Sequence, residues 1–130
     1  MPNTIRQSIT LSAPPEDVFE VLMDSRKHTK LTGATARIDR SVGGKFSAYD
    51  GYIEGQNVEV VRNKRIIQLW RGSDWPPGHY SRATFHLRKI ARRTHLVFRQ
   101  SNVPPGQYKA IKQGWTDFYW NPLRKMFNTR

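Results

Sequence analysis

The side chains in this chain that could do chemistry are four histidines, ten carboxylates and a scatter of hydroxyls, with no cysteine among its 130 residues. His28, His79, His86 and His95 never stand at i, i+4 on a predicted helix with an acidic partner, so the ligand types for zinc are present without the spacing. His86 and His95 become diagonal neighbours across a predicted hairpin, but on a face dense in arginine, which opposes a cation. Glu54 and Glu59 lie five apart on one predicted strand and, without a bulge, point to opposite faces, while Asp39, Asp50 and Asp74 read as turn or strand-edge acids. Ser81 lacks the G-x-S-x-G elbow, and Gly43-Gly44 lacks the surroundings of a phosphate loop. The missing cysteines remove a thiolate nucleophile, a disulfide framework and a Cys-ligated zinc. No metal or cofactor is expected, and no residue can be named for catalysis.

The aromatic residues say more. Trp70, Trp75, Trp115 and Tyr119 each carry an N–H or O–H that needs a partner when buried, which suits the wall or mouth of a cavity. Phe46 and Phe98 are placed deeper, and Gln100, with Gln68 beside it, adds inward polar groups. Phe85 reads as core. The candidate ligand cavity is therefore Phe46, Trp70, Trp75, Phe98, Gln100, Trp115 and Tyr119, and its expected occupant is a lipophilic or amphipathic small molecule.

Charge marks a second surface. The net charge is +12, and it is uneven: Met1 to Asp74 holds 11 basic and 9 acidic residues, whereas Trp75 to Arg130 holds 11 basic residues against Asp117 alone. Such asymmetry suggests an acidic protein surface, a nucleic acid, an anionic lipid or another polyanion as partner, or else simply keeps a small protein dissolved. No RNP-type strand, zinc finger or helix-turn-helix accompanies it.

These groups must be positioned by a single domain, since the length suits one core and the composition, 37% hydrophobic and 12% aromatic, is globular. Ile5, Ile9 and Leu11 alternate with polar residues as a first strand. Pro14-Pro15-Glu16-Asp17 opens a helix carrying Val18, Phe19, Leu22 and Met23, and a second helix from Ser25 ends at Gly33. About six short strands follow, with turns at Val42-Gly43-Gly44, Asp50-Gly51 and Arg62-Asn63-Lys64 and a bulge near Gln56-Asn57. A hairpin turning at Ala91-Arg92 places Phe85 opposite Phe98, Leu87 opposite Leu96 and Ala83 opposite Gln100. Arg82, His86, Arg88, His95 and Arg99 then share the other face, with Arg92 and Arg93 at the tip. From Gly106 to about Asn128 runs a helix with Tyr108, Ile111, Trp115, Phe118, Tyr119, Met126 and Phe127 as its apolar stripe, kinked at Pro122. A sheet with one apolar face needs a cover, and that helix provides it. The N-terminus lacks a signal-peptide core and no apolar run could span a membrane, so the expected location is the cytoplasm.

The ordered signatures Val42-Gly43-Gly44-Lys45-Phe46, Ile66, Trp70-Arg71, Trp75-Pro76, Tyr80-Ser81, Val103-Pro104, Gly114-Trp115 and Pro122-Leu123 resemble the family of the C-terminal domain of the activator of heat-shock protein 90 ATPase. That family lies within the START-like (SRPBCC) superfamily. The resemblance covers about the whole chain. It implies an α+β helix-grip fold, in which a curved antiparallel sheet wraps a long C-terminal helix with two short helices after the first strand. It also implies a link to chaperones, although some helix-grip relatives are enzymes; the function expected of this chain is a non-enzymatic domain binding its ligand between sheet and helix. The activator's separate N-terminal domain makes much of its chaperone contact, so ATPase activation is not expected to carry over to this chain.

Overall fold

Alternating apolar residues along the chain assemble one seven-stranded antiparallel sheet in the order β1-β7-β6-β5-β4-β3-β2. The computed structural model describes residues 4–127. Strand β1 (Ile5–Leu11) leads to α1 (Pro15–Met23) and α2 (Ser25–Thr32). The meander then runs through β2 (Arg37–Ile38), β3 (Lys45–Ala48), β4 (Ile53–Val61), β5 (Arg65–Gly72), β6 (Ser81–Ile90) and β7 (Arg93–Ser101). Helices α3 (Tyr108–Trp115) and α4 (Asn121–Phe127) close the apolar face, joined by a wide π turn at Thr116–Trp120. This is the α+β sheet-on-helix arrangement that the sequence predicts, in the helix-grip form that the resemblance implies.

Local chemistry sets the boundaries. Pro15 occupies the first turn of α1, where its missing N–H is harmless, and Glu16 and Asp17 sit at the positive end of the helix. Asp24 caps α2 by accepting the Lys27 N–H, and Gly33 ends it at φ 80°, a left-handed conformation that glycine adopts without strain. In the β6–β7 hairpin, Phe85 faces Phe98, Leu87 faces Leu96 and Ala83 faces Gln100, as expected from the pattern. The bulge lies one step later than predicted, between Asn57 and Glu59, leaving Val58 unpaired. With it, Glu54 and Glu59 escape the opposite-face placement expected of a strand without a bulge. The extra residue brings both acids to the outer face, where each meets an arginine, Arg71 and Arg65 respectively.

The last helix differs most from its prediction. The sequence predicts one rod kinked at Pro122, with Phe118 and Met126 in its buried stripe. Instead the backbone widens over Thr116–Trp120, just before the proline, where a proline ring would collide with the carbonyl four residues back. The wide turn advances the apolar face by about one residue. Trp120 and Leu123 are buried in consequence, and Phe118 and Met126 are exposed. Asn128, the expected helix end, lies outside the described residues.

The core fills the space between the concave sheet face and these helices. Gly55 on β4 shows how tight it is: a Cβ there would collide with the Leu69 carbonyl oxygen and the Phe46 ring. Gly55→Ala should therefore lose about 1–3 kcal/mol, the usual range for overpacking, read as a lower urea midpoint at unchanged slope.

Candidate functional site

Trp115, at the end of α3, is the centre of the sheet–helix junction. Its ring meets Phe98 at 4.3 Å, Tyr119 at 4.6 Å, Trp70 at 5.5 Å and Phe85 at 5.8 Å, and stacks on Trp120 at 5.4 Å. Its Nε1–H donates to Gln100 Oε1 at 2.7 Å. The Gln100 amide nitrogen donates to Ser81 Oγ at 2.8 Å, and Ser81 Oγ donates to the Trp70 carbonyl at 2.7 Å. A fully buried polar chain thus links α3 to β7, β6 and β5, each of its side-chain nitrogen and oxygen atoms making at least one hydrogen bond, the condition for polar groups in a core.

Tyr119 is held from the other side. His28 Nδ1 lies 3.1 Å from the Leu22 carbonyl, which can only accept, so Nδ1 carries the proton. His28 Nε2 must then accept from the Tyr119 hydroxyl, 2.8 Å away. Burial holds the His28 pKa below its ordinary value and drives that of the Tyr119 phenol well above its own. Both groups are neutral near pH 7. They border an enclosed void of about 20 Å³ shared with Phe46, Gln68, Trp70, Phe85 and Trp115. That space holds about one water molecule and no lipophile.

The larger apolar space is an open groove of about 190 Å³ where α3 passes the β3–β4 turn. Trp70, Trp115 and Tyr119 form its floor, while Ile111, Gly114 and Phe118 form its helical wall. Tyr49 and Tyr52 form the opposite rim, and Tyr49 meets Phe118 edge-on at 5.0 Å. The Tyr52 hydroxyl donates to Asp74 Oδ1 at 2.7 Å, and burial with that carboxylate pushes its pKa up to about 12. Of the residues assigned to a cavity from sequence, Phe46, Trp70, Trp115 and Tyr119 border the void or the groove. Phe98 and Gln100 border neither, being fully buried. Trp75 packs on the far side of Trp70 at 5.5 Å, with its indole N–H buried and unpartnered. Sequence reasoning missed Tyr49, Tyr52 and Phe118 as rim residues, and His28 as the partner of Tyr119. One signal was present: glycine at 114 leaves a notch between Ile111 and Phe118 on one helix face.

On the convex side, Arg82, Arg88 and Arg99 project outward, with Arg92 and Arg93 exposed at the hairpin tip. Arg6 on β1 lies across from Arg99. Ion pairs among the described residues join Arg40 to Glu20, Arg65 to Glu59 and Arg71 to Glu54, and include none of those six arginines. Among the described residues no three His, Asp or Glu side chains gather as a metal site.

A family model described as Activator of Hsp90 ATPase homolog 1-like protein matches residues 12–128. The Activator of 90 kDa heat shock protein ATPase homolog 1 of Homo sapiens is 27% identical over 118 residues, 91% of this chain and 35% of that protein. An uncharacterised protein of Schizosaccharomyces pombe is 28% identical over 123 residues, 95% of this chain and 37% of its own length. The chain thus spans about a third of these curated relatives. The crystal structure of an HSP90 activator from Plasmodium falciparum superposes with a TM-score of 0.91 at 27% identity, covering 95% of this chain and 94% of that one. An Aha1 dimer from Colwellia psychrerythraea shares the fold, with a TM-score of 0.77 at 18% identity and 92% coverage of each chain.

The buried imidazole gives the domain an acid-sensitive point. With the folded pKa of His28 depressed below 6.5, its contribution is complete above pH 6.5. It is lost as the pH falls toward the folded value, because only the unfolded chain takes up the proton. Glu20 and Glu59, held below 4.5 by Arg40 and Arg65, act in a lower window. Stability should fall by at most about 1.4 kcal/mol per pH unit below pH 6.5. His28→Gln should be less stable at pH 7.5 and flatter between pH 6.5 and 5, as read from urea midpoints.

Proposed function

Because this chain belongs to the Activator of Hsp90 ATPase homolog 1-like family, we propose that it is a non-catalytic, co-chaperone-like binding module whose partner is an HSP90-type chaperone in the cytoplasm. The observation that carries this reading is the superposition, over nearly the whole of both chains, on a protein described as an HSP90 activator. No helix among the described residues is long and apolar enough to cross a membrane, in keeping with such a partner. The proposal covers binding and not stimulation of the ATPase, since the match spans about a third of the human relative. The contact surface is the outer face of β6 and β7 with its tip, Arg82, Arg88, Arg92, Arg93 and Arg99. Unpaired cations on an open face attract an acidic protein at long range and set its orientation. Titration of the full chain against the HSP90-type chaperone of the same organism should show binding at low salt that weakens steeply as salt is added. Reversal of Arg88, Arg92 and Arg93 to glutamate should abolish it. No binding at low salt overturns the partner, and binding unchanged by the reversal overturns the surface.

The apolar groove favours a second reading, in which a small hydrophobic or amphipathic molecule docks there. Its volume lies below the 300–1,000 Å³ or so of pockets that enclose drug-sized ligands, so it takes one ring or a short alkyl segment rather than a whole lipid. Gly114 gives a clean test. A Cβ on it meets only Phe118, at 3.8 Å, and a longer helical side chain leans back over Ile111 into the groove. Gly114→Leu should keep or raise the melting temperature, since glycine costs a helix interior about 1 kcal/mol. The same variant should abolish binding of a lipophilic fluorescent dye; undiminished dye binding would move the site elsewhere.

A further inference from the structure

We infer that the open cleft between the β4–β5 turn, the N-terminus of α1 and the outer face of β6–β7 is a docking groove for an extended acidic segment of a partner protein. It rests on the reading that the basic face is the working surface, and it assigns the partner's chemistry. The cleft has a volume of about 900 Å³ and is bordered by Arg62, Lys64, His86, Arg88, Lys89 and His95, among others. Its walls are fixed by the fold. The Leu87 N–H donates to the Lys64 carbonyl at 2.8 Å, tying the β4–β5 turn to β6 and holding Arg62 and Lys64 beside the β6 cations. Arg88 lies directly across from His95, and His86 across from Arg65. His95 is steadied by Thr10 on β1, with Nδ1 and Oγ1 3.0 Å apart.

The electrostatics are one-sided. Arg65 is occupied by Glu59, and Glu16 is the one carboxylate among the lining residues. Arg62, Lys64, Arg88 and Lys89 make no ion pair among the described residues. Like charges held side by side on a sheet destabilise it, and a ligand carrying the opposite charge removes that cost. His86 and Arg88 stand two residues apart on β6, which sets their spacing along the strand at about 6.8 Å. Side chains on one face of an extended peptide repeat at the same interval, so alternate acidic residues meet the His86 imidazole and the Arg88 guanidinium in turn.

Two features favour a peptide over a nucleic acid. Val97 is 41% exposed on the floor, giving an apolar contact for the aliphatic part of a glutamate. No Phe, Tyr or Trp lines the cleft, so bases find none of the large rings on which single strands stack, and stacking is a main source of affinity for them.

The experiment is fluorescence anisotropy of the full chain with fluorescein-labelled octaglutamate, and with an eight-residue oligothymidine as comparator. Lys64→Glu with Arg88→Glu should weaken octaglutamate binding at least about tenfold, since two exposed pairs are lost and two repulsions gained. The control, Lys27→Glu with Lys30→Glu, makes the same charge change on α2 outside the cleft and should change affinity less than about twofold, as expected once salt screens distant charges. Equal losses in both variants overturn the groove in favour of net charge alone. Tighter oligothymidine binding that is lost with the Lys64 and Arg88 reversal overturns it in favour of nucleic acid. A melting curve verifies each fold, and Arg62→Glu with Lys89→Glu replaces the first variant should that one unfold. Octaglutamate binding without chaperone binding removes only the chaperone reading. Chaperone binding that survives loss of the cleft removes only this inference.

Discussion

The hydrogen bond from Trp115 to Gln100 is the constraint on which the rest of the structure depends. Gln100 is fully buried, and its amide must be satisfied at both ends or the junction between helix and sheet carries an orphan worth about 1–3 kcal/mol. Trp115 takes the oxygen and Ser81 takes the nitrogen, so the amide has one orientation and α3 has one height above the sheet. With the helix at that height, the aromatic rings close the interior to a void no larger than a water, and what apolar space remains is pushed out to the groove. Across the π turn, a second indole repeats the arrangement: Trp120 Nε1 donates to Gln7 Oε1 at 2.7 Å, fixing the helix to β1.

Closing one face of the sheet leaves the other to solvent, and the sequence uses the two faces for different purposes. The concave side spends nearly all its residues on packing, with its polar atoms held in hydrogen-bonded chains except the unpartnered Trp75 indole N–H. The convex side of β6 and β7 carries Arg82, Arg88 and Arg99, none of which makes an ion pair among the described residues. A single strand supplies both: Leu87 is in the core, and Arg88 is in the cleft. The core packing that orients the first residue therefore aims the second.

Much of the fold was legible because its signals are local and periodic. The β6–β7 pairing followed from alternation alone, since a slip of one residue would have put five basic groups into the core. Gly33 and Pro15 marked helix ends through backbone conformation. Where the sequence misled, two effects competed. Pro122 was read as a kink, but the chain accommodates it by widening the preceding turn, and that shift of phase replaced Phe118 and Met126 with Trp120 and Leu123. The candidate site was less legible for the same reason: which aromatic residue faces a cavity depends on helix phase and height. Phe98 and Gln100 lie on the expected face, yet beneath a ring that leaves them no space. His28 gave no signal, because its partner lies ninety-one positions away.

The strand order has a consequence in time. Among the described residues β1 pairs with β7 alone, Ile5 opposite Gln100 and Leu11 opposite Thr94, so it is completed by the strand farthest from it along the chain. Each pairing from β2 to β7 joins sequence neighbours and can form as the chain emerges, whereas β1 must wait for the β6–β7 hairpin. Non-local pairings of this kind slow folding, and an unpaired apolar strand is exposed to intermolecular pairing meanwhile. Arg6 and the hydroxyls of Ser8 and Thr10 fill the outward positions of β1. Those polar side chains keep the waiting strand hydrated on one side, a safeguard in the nascent chain that has no part in the finished core.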